Sequence, residues 1–334
     1  MSTAHGTPHD PPLAAPAPTQ ESSADGAYLL AYFTPDVDDG EQVRLAVSRG
    51  PRPDAFDPLH DGRPVLVSEV GERGARDPFL LRDTTTGRFV VLATDLRVHP
   101  DGAWDRSTRH GSRSLVVWES DDLVTWSAGR LVEVSPPEAG NTWAPKVFRS
   151  PADDAWLVFW ASALYPPGAD RTAGTYQRIL VAETQDFRTF GPARVYLDLG
   201  YDVIDVTFAE HQGAIYRFSA NAQSADPGKT TGFHVFVERG SDVLDPGFEP
   251  VAVDVGRPEL ERCEGPAVAT SPDGSEVYLL VDEFTGRGCT LFSSTDPASG
   301  VFVHEPQAQL PERSRHGSLL AISSEERTRL LAAW

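Results

Sequence analysis

The stretch His316 to Ile322, HGSLLAI, decides how this chain folds. It has the composition of a β-strand, because a turn-prone Gly-Ser pair leads into an apolar run. The sequence that remains, Ser324 to Ala333, predicts a short C-terminal helix with Ser324 as its cap. A strand that should open a sheet therefore has no partner strands after it, and those partners must come from elsewhere in the chain.

Two strand-like segments near the other end of the chain supply them. AYLLAYFT (27–34) resembles a second strand and VRLAVS (43–48) a third, and the turn RGPRPDAF closes the unit. Between them and His316, four complete triplets of strands begin at Asp77, Trp143, Asp205 and Glu264. Five such sheets, the last built from both ends of the chain, predict an all-β, five-bladed β-propeller over residues 27–334. An irregular β-sandwich would not explain why a deficit of strands at one end matches a surplus at the other.

The composition limits the partners. The formal net charge is −20 and the sequence pI is near 4.8. Such a surface repels phosphate backbones and anionic membranes, so we expect neither nucleic acid nor a membrane as a partner. No apolar run approaches the roughly 18 residues of a membrane helix. The sequence contains no signal for an oligomeric state.

Residues 1–26 form a separate segment, rich in Pro, Ala, Ser and Thr. The segment lacks the basic and apolar regions of a secretory signal, so we predict a disordered tail and a cytoplasmic protein. The two cysteines, Cys263 and Cys289, fit a reducing compartment.

The first strand of each propeller blade lines the central channel, so the residues that begin these strands should form a ring. The predicted ring carries different chemistry at each position: Asp77, Trp143, Asp205, Glu264 and His316. Three carboxyl groups in a partly apolar pocket cannot all ionise cheaply, so at least one should stay protonated near neutral pH. One protonated and one ionised carboxyl group are what glycosidic bond hydrolysis requires, and Trp143 offers a stacking face for a sugar ring.

Single residues of this ring also have plainer interpretations. Asp before Pro and Glu before Gly are ordinary turn chemistry, and only their shared position across blades favours catalysis. His316 is either a metal or water ligand at the channel axis or a core histidine that closes the last blade. Without a His/Cys cluster a transition-metal site is not expected, no cofactor is required, and a calcium ion held through water by His316 is the metal considered.

Four further polar residues follow or end second strands, and these ends return to the face where the inner strands begin. Each is a candidate for binding sugar hydroxyls, and each is equally a candidate turn residue: Asp95, Ser162, Asn221 and Asp282.

Five motifs in order resemble glycoside hydrolase family 43, the five-bladed enzymes that include α-L-arabinofuranosidases, β-xylosidases and arabinanases. They are ARDPFLL (75–81), NTWAPKVF (141–148), VIDVTF (203–208), CEGPAV (263–268) and RHGSLL (315–320). The resemblance implies that Asp77 is the general base, Glu264 the general acid and Asp205 the residue that tunes the acid's pKa. It also implies inversion at the anomeric carbon, with carboxyl groups roughly 6.5 to 9.5 Å apart.

The sequence departs from the family's pattern at Arg76, Lys146 and Val206. Arg76 and Lys146 are therefore candidate substrate-binding residues. Lys146 would bind a substrate hydroxyl or lower the pKa of a neighbouring carboxylate, and a solvent-facing lysine is the alternative. Arg76-Asp77-Pro78 also resembles the motif of invertases and fructanases, but the Asn-Asp-Pro nucleophile of those enzymes is absent from the sequence.

The leading hypothesis is an inverting, exo-acting glycosidase that releases terminal α-L-arabinofuranosyl units from short oligosaccharides. β-Xylosidase and galactofuranosidase activities are alternatives within the same chemistry. The alternatives outside it are a fructosidase and a non-catalytic propeller that binds a sugar or a protein.

Overall fold

The computed structural model describes residues 26–334 except 36, 151–154, 224–231, 246 and 285. All but the last residue of the predicted tail, 1–26, lies outside the described residues, so the tail stays a prediction.

The described residues form five antiparallel sheets of four strands each. In chain order the first ten strands are β1 (Ala27–Phe33), β2 (Arg44–Ser48), β3 (Phe56–Pro58), β4 (Arg76–Arg82), β5 (Phe89–Thr94), β6 (Ser114–Ser120), β7 (Arg130–Glu133), β8 (Trp143–Arg149), β9 (Trp156–Ala163) and β10 (Gln177–Thr184). The others are β11 (Arg194–Leu197), β12 (Val203–His211), β13 (Ala214–Asn221), β14 (His234–Gly240), β15 (Glu249–Val255), β16 (Glu264–Thr270), β17 (Val277–Glu283), β18 (Gly288–Ser294), β19 (Val303–His304) and β20 (Arg315–Ile322).

Blades one to four are β4–β7, β8–β11, β12–β15 and β16–β19, and each runs from its innermost to its outermost strand. Five buried apolar clusters hold the blades together. One cluster fills the space between each neighbouring pair, including the pair formed by blade five and blade one. Because both faces of every sheet are buried, the strands are apolar nearly throughout, and the ring is closed.

The fifth blade confirms the closure predicted from the sequence. Its strand order is β20-β1-β2-β3, so the last strand of the chain is the innermost and the first strand lies beside it. Leu29 of β1 pairs with Leu320 of β20 and, on its other edge, with Val47 of β2. This pairing brings the end of the chain back to its start and leaves no open sheet in the ring.

Two α-helices accompany the strands within the described residues. The predicted C-terminal helix is present as α2 (Ser324–Ala333), but its cap is Ser323, not Ser324. Ser323 accepts from the Glu326 backbone N–H, while the Glu326 side chain accepts from the Ser323 backbone, a reciprocal capping box. The second helix, α1 (Trp104–His110), lies between β5 and β6 and was not predicted. In the part of the chain described, no helix has the length and apolarity to cross a membrane.

Candidate active site

Every inner strand is interrupted near its start by the same irregularity. In blades one, two and four the ladder to the second strand skips after the first paired residue, as between Arg76 and Phe79 in blade one. In blade three it skips after the second paired residue, between Ile204 and Thr207. Four residues at this skip have positive φ: Asp77, Ala144, Asp205 and Gly265, with φ between 53° and 59°. A positive φ is strained for a residue with a Cβ, and such strain gathers at functional sites. The bulge turns these side chains away from regular strand directions.

The pairing defines two rows of equivalent positions across the blades. The first row is Arg76, Trp143, Ile204, Glu264 and Arg315, and the second row is the residue after each, Asp77, Ala144, Asp205, Gly265 and His316. The predicted ring was therefore wrong in register at two positions, because Trp143 and Glu264 belong to the first row. A slip of one residue cannot be seen in the sequence when every strand start carries a bulge. The three acidic residues still meet in one place, but from two levels.

Asp77 lies in the second row with only 6% of its surface exposed. The Thr94 hydroxyl donates to its Oδ2 at 2.7 Å, and the His316 Nε2 lies 3.3 Å from its Oδ1. Burial acts to raise the pKa of Asp77. His316, Arg76, the Thr94 hydroxyl and Lys146 outweigh it and hold that pKa below its ordinary value. Asp77 is thus an ionised carboxylate near neutral pH, the state required of a base.

Asp205, also in the second row, is buried beside Asp77 and Lys146. Burial, followed by the negative charge of Asp77, raises the pKa of Asp205 to about 7, while Lys146 acts in the opposite direction. Its Oδ2 accepts a hydrogen bond from the Gly265 backbone N–H at 2.9 Å. A Cβ at Gly265 would come within 2.2 Å of His316 Cβ, so only glycine fits between Glu264 and this neighbour.

Glu264, in the first row, has 14% of its side chain exposed. Burial raises the pKa of Glu264 to about 8. The charge of Arg315 opposes this shift, and the charges of Asp205, Asp282 and Asp77 add to it. Arg315 Nη2 donates to Glu264 Oε1 at 3.0 Å, and its Nε donates to Asp282 Oδ2. Glu264 is therefore protonated near neutral pH while Asp77 is ionised, which is the split that acid and base catalysis requires.

Lys146 is buried, with 1% of its surface exposed, so the solvent-facing interpretation was wrong. Its Nζ donates to the Gly317 carbonyl at 2.9 Å, which links blade two to blade five across the channel. Burial lowers the pKa of Lys146, while Asp205 and Asp77 raise it. Its charge lowers the pKa of both aspartates, and its contact with substrate stays a prediction.

His316 and two acidic residues near it form a candidate metal site. One ligand atom each from Glu264, Asp282 and His316 lies within 4.8 Å of the others. However, the Arg315 guanidinium already pairs with both carboxylates, and calcium prefers about six to eight oxygen ligands. Burial lowers the pKa of His316 to about 3, so the ring is a neutral imidazole against the edge of Phe33. The carboxyl groups of Glu264 and Asp282 are thus already paired, and a calcium ion held through water by His316 stays a prediction.

Arg76 and Trp143 are the first-row residues of blades one and two. Arg76 is 4% exposed and pairs with Glu41 at 2.8 Å, while its guanidinium lies against the rings of Phe33 and Trp104. Arg76 therefore fixes the start of β4 in addition to any contact with substrate. Trp143 is half-buried and packs against Trp104 in an edge-to-face arrangement.

The four candidates at the ends of second strands separate into two kinds. Asp282 pairs with Glu264 in the ladder and belongs to the site. Each of the other three candidates lies one residue after the position in its own blade that is equivalent to Asp282. Because successive side chains of a strand point to opposite faces, these three do not share the direction of Asp282. Asp95 accepts from the Glu72 backbone at 2.7 Å, Ser162 is buried, and Asn221 accepts from the Gln223 backbone at 3.0 Å. These contacts are those of turns and sheets, and sugar binding by these three residues stays a prediction.

Sequence reasoning missed three residues of the site. Thr94 is the equivalent of Asp282 in blade one, and its hydroxyl accepts from the Ala144 backbone at 2.8 Å while donating to Asp77. Arg315 immediately precedes His316 and holds two carboxylates. Glu41 lies in the connection between β1 and β2 and holds Arg76 together with the backbone of Val98 and His99. Thr94 and Arg315 each adjoin a residue that was named, so the correct register would have found them.

A five-bladed propeller with an ionised and a protonated carboxyl group at one end of its channel has the fold and site of a glycoside hydrolase. The sequence model of a family described as a probable glycosyl hydrolase domain, related to glycoside hydrolase family 43, matches residues 24–328. The chain belongs to this family.

A curated relative and several solved structures are similar to the chain. An α-L-arabinofuranosidase of Bifidobacterium longum subsp. longum is 30% identical over 359 residues, which cover 89% of this chain and 33% of the relative. The chain thus spans about a third of that relative's length. A xylan β-1,4-xylosidase from Bacillus halodurans superposes with a TM-score of 0.53 at 16% identity, covering 88% of this chain and 55% of that one. A thermostable family-43 glycoside hydrolase gives 0.50 at 17% identity, covering 72% and 75%. The two structures support the propeller fold.

Proposed function

We propose that the chain is an inverting glycoside hydrolase that removes terminal α-L-arabinofuranosyl units from short oligosaccharides. The observation that carries the proposal is the opposite ionisation of two carboxyl groups that flank one imidazole. Asp77 is held ionised, Glu264 is held protonated, and His316 lies between them. The curated relative named α-L-arabinofuranosidase supports the choice of sugar.

In this mechanism Asp77 takes a proton from the attacking water, and Glu264 donates a proton to the oxygen of the leaving group. Water attacks the anomeric carbon from the side of Asp77 as the glycosidic bond breaks toward Glu264, so the configuration inverts. Asp205 sets the pKa of Glu264 and orients the start of β16 through Gly265. Arg315 holds the Glu264 carboxyl group in place throughout.

The separation of the two catalytic groups is limited by the imidazole between them. His316 Nε2 lies 3.3 Å from Asp77 Oδ1 and 3.9 Å from Glu264 Oε1, so these two oxygens are at most the sum of these distances apart. This upper bound overlaps only the lower end of the range for inversion, roughly 6.5 to 9.5 Å, and the separation itself stays a prediction.

The test is turnover of a panel of aryl glycosides with the products followed by proton NMR. We expect release of arabinose from the α-L-arabinofuranoside, with the β-anomer appearing first, and slower or no release from the β-D-xyloside and the galactofuranoside. First appearance of the α-anomer would show retention and would exclude the roles given to Asp77 and Glu264. Absence of turnover on the whole panel would favour a non-catalytic propeller.

A further inference from the structure

Trp104 is an exposed aromatic residue that the catalytic groups do not account for. It is 42% exposed, and among the described residues Trp334 is the other tryptophan classed as exposed. Trp334 packs against His60, and its helix α2 follows the far end of β20. Trp104 lies in α1, which interrupts the connection that leaves β5 just after Thr94, the residue bound to Asp77.

Two contacts place Trp104 at the mouth of the channel. Its ring packs on the guanidinium of Arg76, 5.0 Å away, and Arg76 directly precedes Asp77 in β4. Its ring centroid is 6.1 Å from that of Trp143, at an interplanar angle of 86°. Trp143 occupies the same row as Glu264, and Trp104 is far more exposed to solvent than the catalytic base, at 42% against 6% for Asp77. The two indoles therefore form an aromatic corner outside the acid and base.

The corner is held rigidly. Arg109 of α1 donates to the carbonyls of Arg171 and Ala173 in blade two, and Arg171 donates back to the carbonyl of Arg109. Gly111 donates to the Gly140 carbonyl, and a Cβ at Gly140 would lie 2.4 Å from the Thr108 carbonyl oxygen, so the two segments are in close contact. An indole fixed in this way loses little conformational freedom when a ligand stacks on it.

We propose that Trp104, with Trp143, is a binding subsite for the sugar ring on the leaving-group side of the cleaved bond. This inference rests on the proposed function, because it takes the cleaved unit to sit between Asp77 and Glu264. A sugar that reaches Trp104 then lies further out than the cleaved unit, which in an exo-acting enzyme is the leaving-group side. Aromatic side chains with a few polar groups are the usual lining of such sites.

The experiment compares the wild type with Trp104→Ala, Trp104→Phe and the matched control Trp334→Ala. Two substrates are used: methyl α-L-arabinofuranoside, which has no leaving-group sugar, and xylotriose bearing one α-L-arabinofuranosyl branch. For Trp104→Ala we expect kcat/KM to fall at least tenfold more on the oligosaccharide than on the methyl glycoside. Trp104→Phe should retain most of the preference, and Trp334→Ala should leave the ratio of the two substrates at the wild-type value. Equal losses on both substrates, or an unchanged ratio, would overturn the subsite.

Binding separates failure of the subsite from failure of the proposed function. Calorimetric titration with xylotriose alone measures the subsite without turnover. We expect Trp104→Ala to weaken this binding about tenfold relative to Trp334→Ala, and melting temperatures establish that each variant is folded. If the wild type binds xylotriose through Trp104 but hydrolyses neither substrate, the subsite holds and the proposed activity fails. If the wild type does not bind xylotriose, or Trp104→Phe and Trp104→Ala bind it as the wild type does, the subsite is excluded.

Discussion

The carboxylate of Asp205 accepts a hydrogen bond of 2.9 Å from the backbone N–H of Gly265, the residue that follows Glu264. A residue of blade three therefore fixes the strand of blade four that carries the acid. The same carboxylate raises the pKa of Glu264 through its negative charge. Asp205 thus acts on Glu264 by position and by charge at once, without needing to touch the substrate.

Replacing Asp205 with Asn should move the alkaline limb of the pH profile. Glu264 works in its protonated form, so activity falls as pH rises through its pKa of about 8. Asp205→Asn removes a negative charge that raises this pKa, so the limb should shift to lower pH, with a loss of activity at pH 7. The profile of kcat/KM between about pH 5 and 10 measures the shift, and Asp121→Asn at the surface is the control. A limb that stays in place would show that Asp205 does not tune the acid.

Variants of the acid and of the base should respond differently to the leaving group. A good leaving group needs little protonation, so Glu264→Gln should lose about 10²- to 10⁴-fold on natural oligosaccharides but far less on a dinitrophenyl glycoside. Asp77→Asn should lose activity on both substrates, because every substrate needs an activated water. Parallel kcat/KM measurements on the two substrates decide the assignment, and the reverse pattern would exchange the two roles.

Thr94→Val should impair Asp77 without changing the shape of the core. The Thr94 hydroxyl donates to Asp77 and accepts from the Ala144 backbone, so its removal leaves both groups without this partner. Hydrogen bonds to charged groups contribute roughly 1.5 to 3 kcal/mol, so the free energy of unfolding should fall by about that amount. Denaturant unfolding measures it, and Thr94→Ser, which keeps the hydroxyl, should lie close to the wild type. A loss for Thr94→Ser as large as that for Thr94→Val would show that the hydroxyl is not the decisive group at this position.

Lys146→Met should move the acid limb of the pH profile upward. Lys146 lowers the pKa of both Asp77 and Asp205, so without its charge Asp77 stays protonated to higher pH. A base must be ionised, and activity should therefore appear only at a higher pH than in the wild type. Arg149→Met, at the other end of β8, removes a charge away from the acids and is the matched control. An unchanged acid limb would mean that the Lys146 charge does not reach Asp77.

The blades were predictable because their signal is local and repeated. Apolar runs separated by turn residues give strands, and the unpaired strand at His316 gave the closure. The helix α1 was not predictable, because WDRSTRH has no apolar periodicity and is stabilised by contacts with blade two. These contacts join residues about 60 positions apart in sequence.

The site was predictable in its residue types and less so in its register. Asp77, Asp205 and Glu264 were found, but a bulge moved Glu264 to a different row from the two aspartates. The same one-residue slip led to Asp95 as the predicted site residue, where the structure has Thr94. The burial of Lys146 was also beyond sequence reasoning, because an alternating strand pattern does not show which of its faces lines the central channel.

The pairing of β1 with β20 also determines when the site can form during synthesis of the chain. Arg315, which holds Glu264, and His316, which adjoins Asp77, both lie on β20, the strand of the ring that is synthesised after the other nineteen. A nascent chain that ends before this strand contains all three acidic residues but neither of these basic partners. Contacts between such distant residues form slowly, and domains are synthesised at only about 5 to 20 residues per second. The proposed site is therefore completed only when β20 pairs with β1, the strand of the ring that is synthesised first.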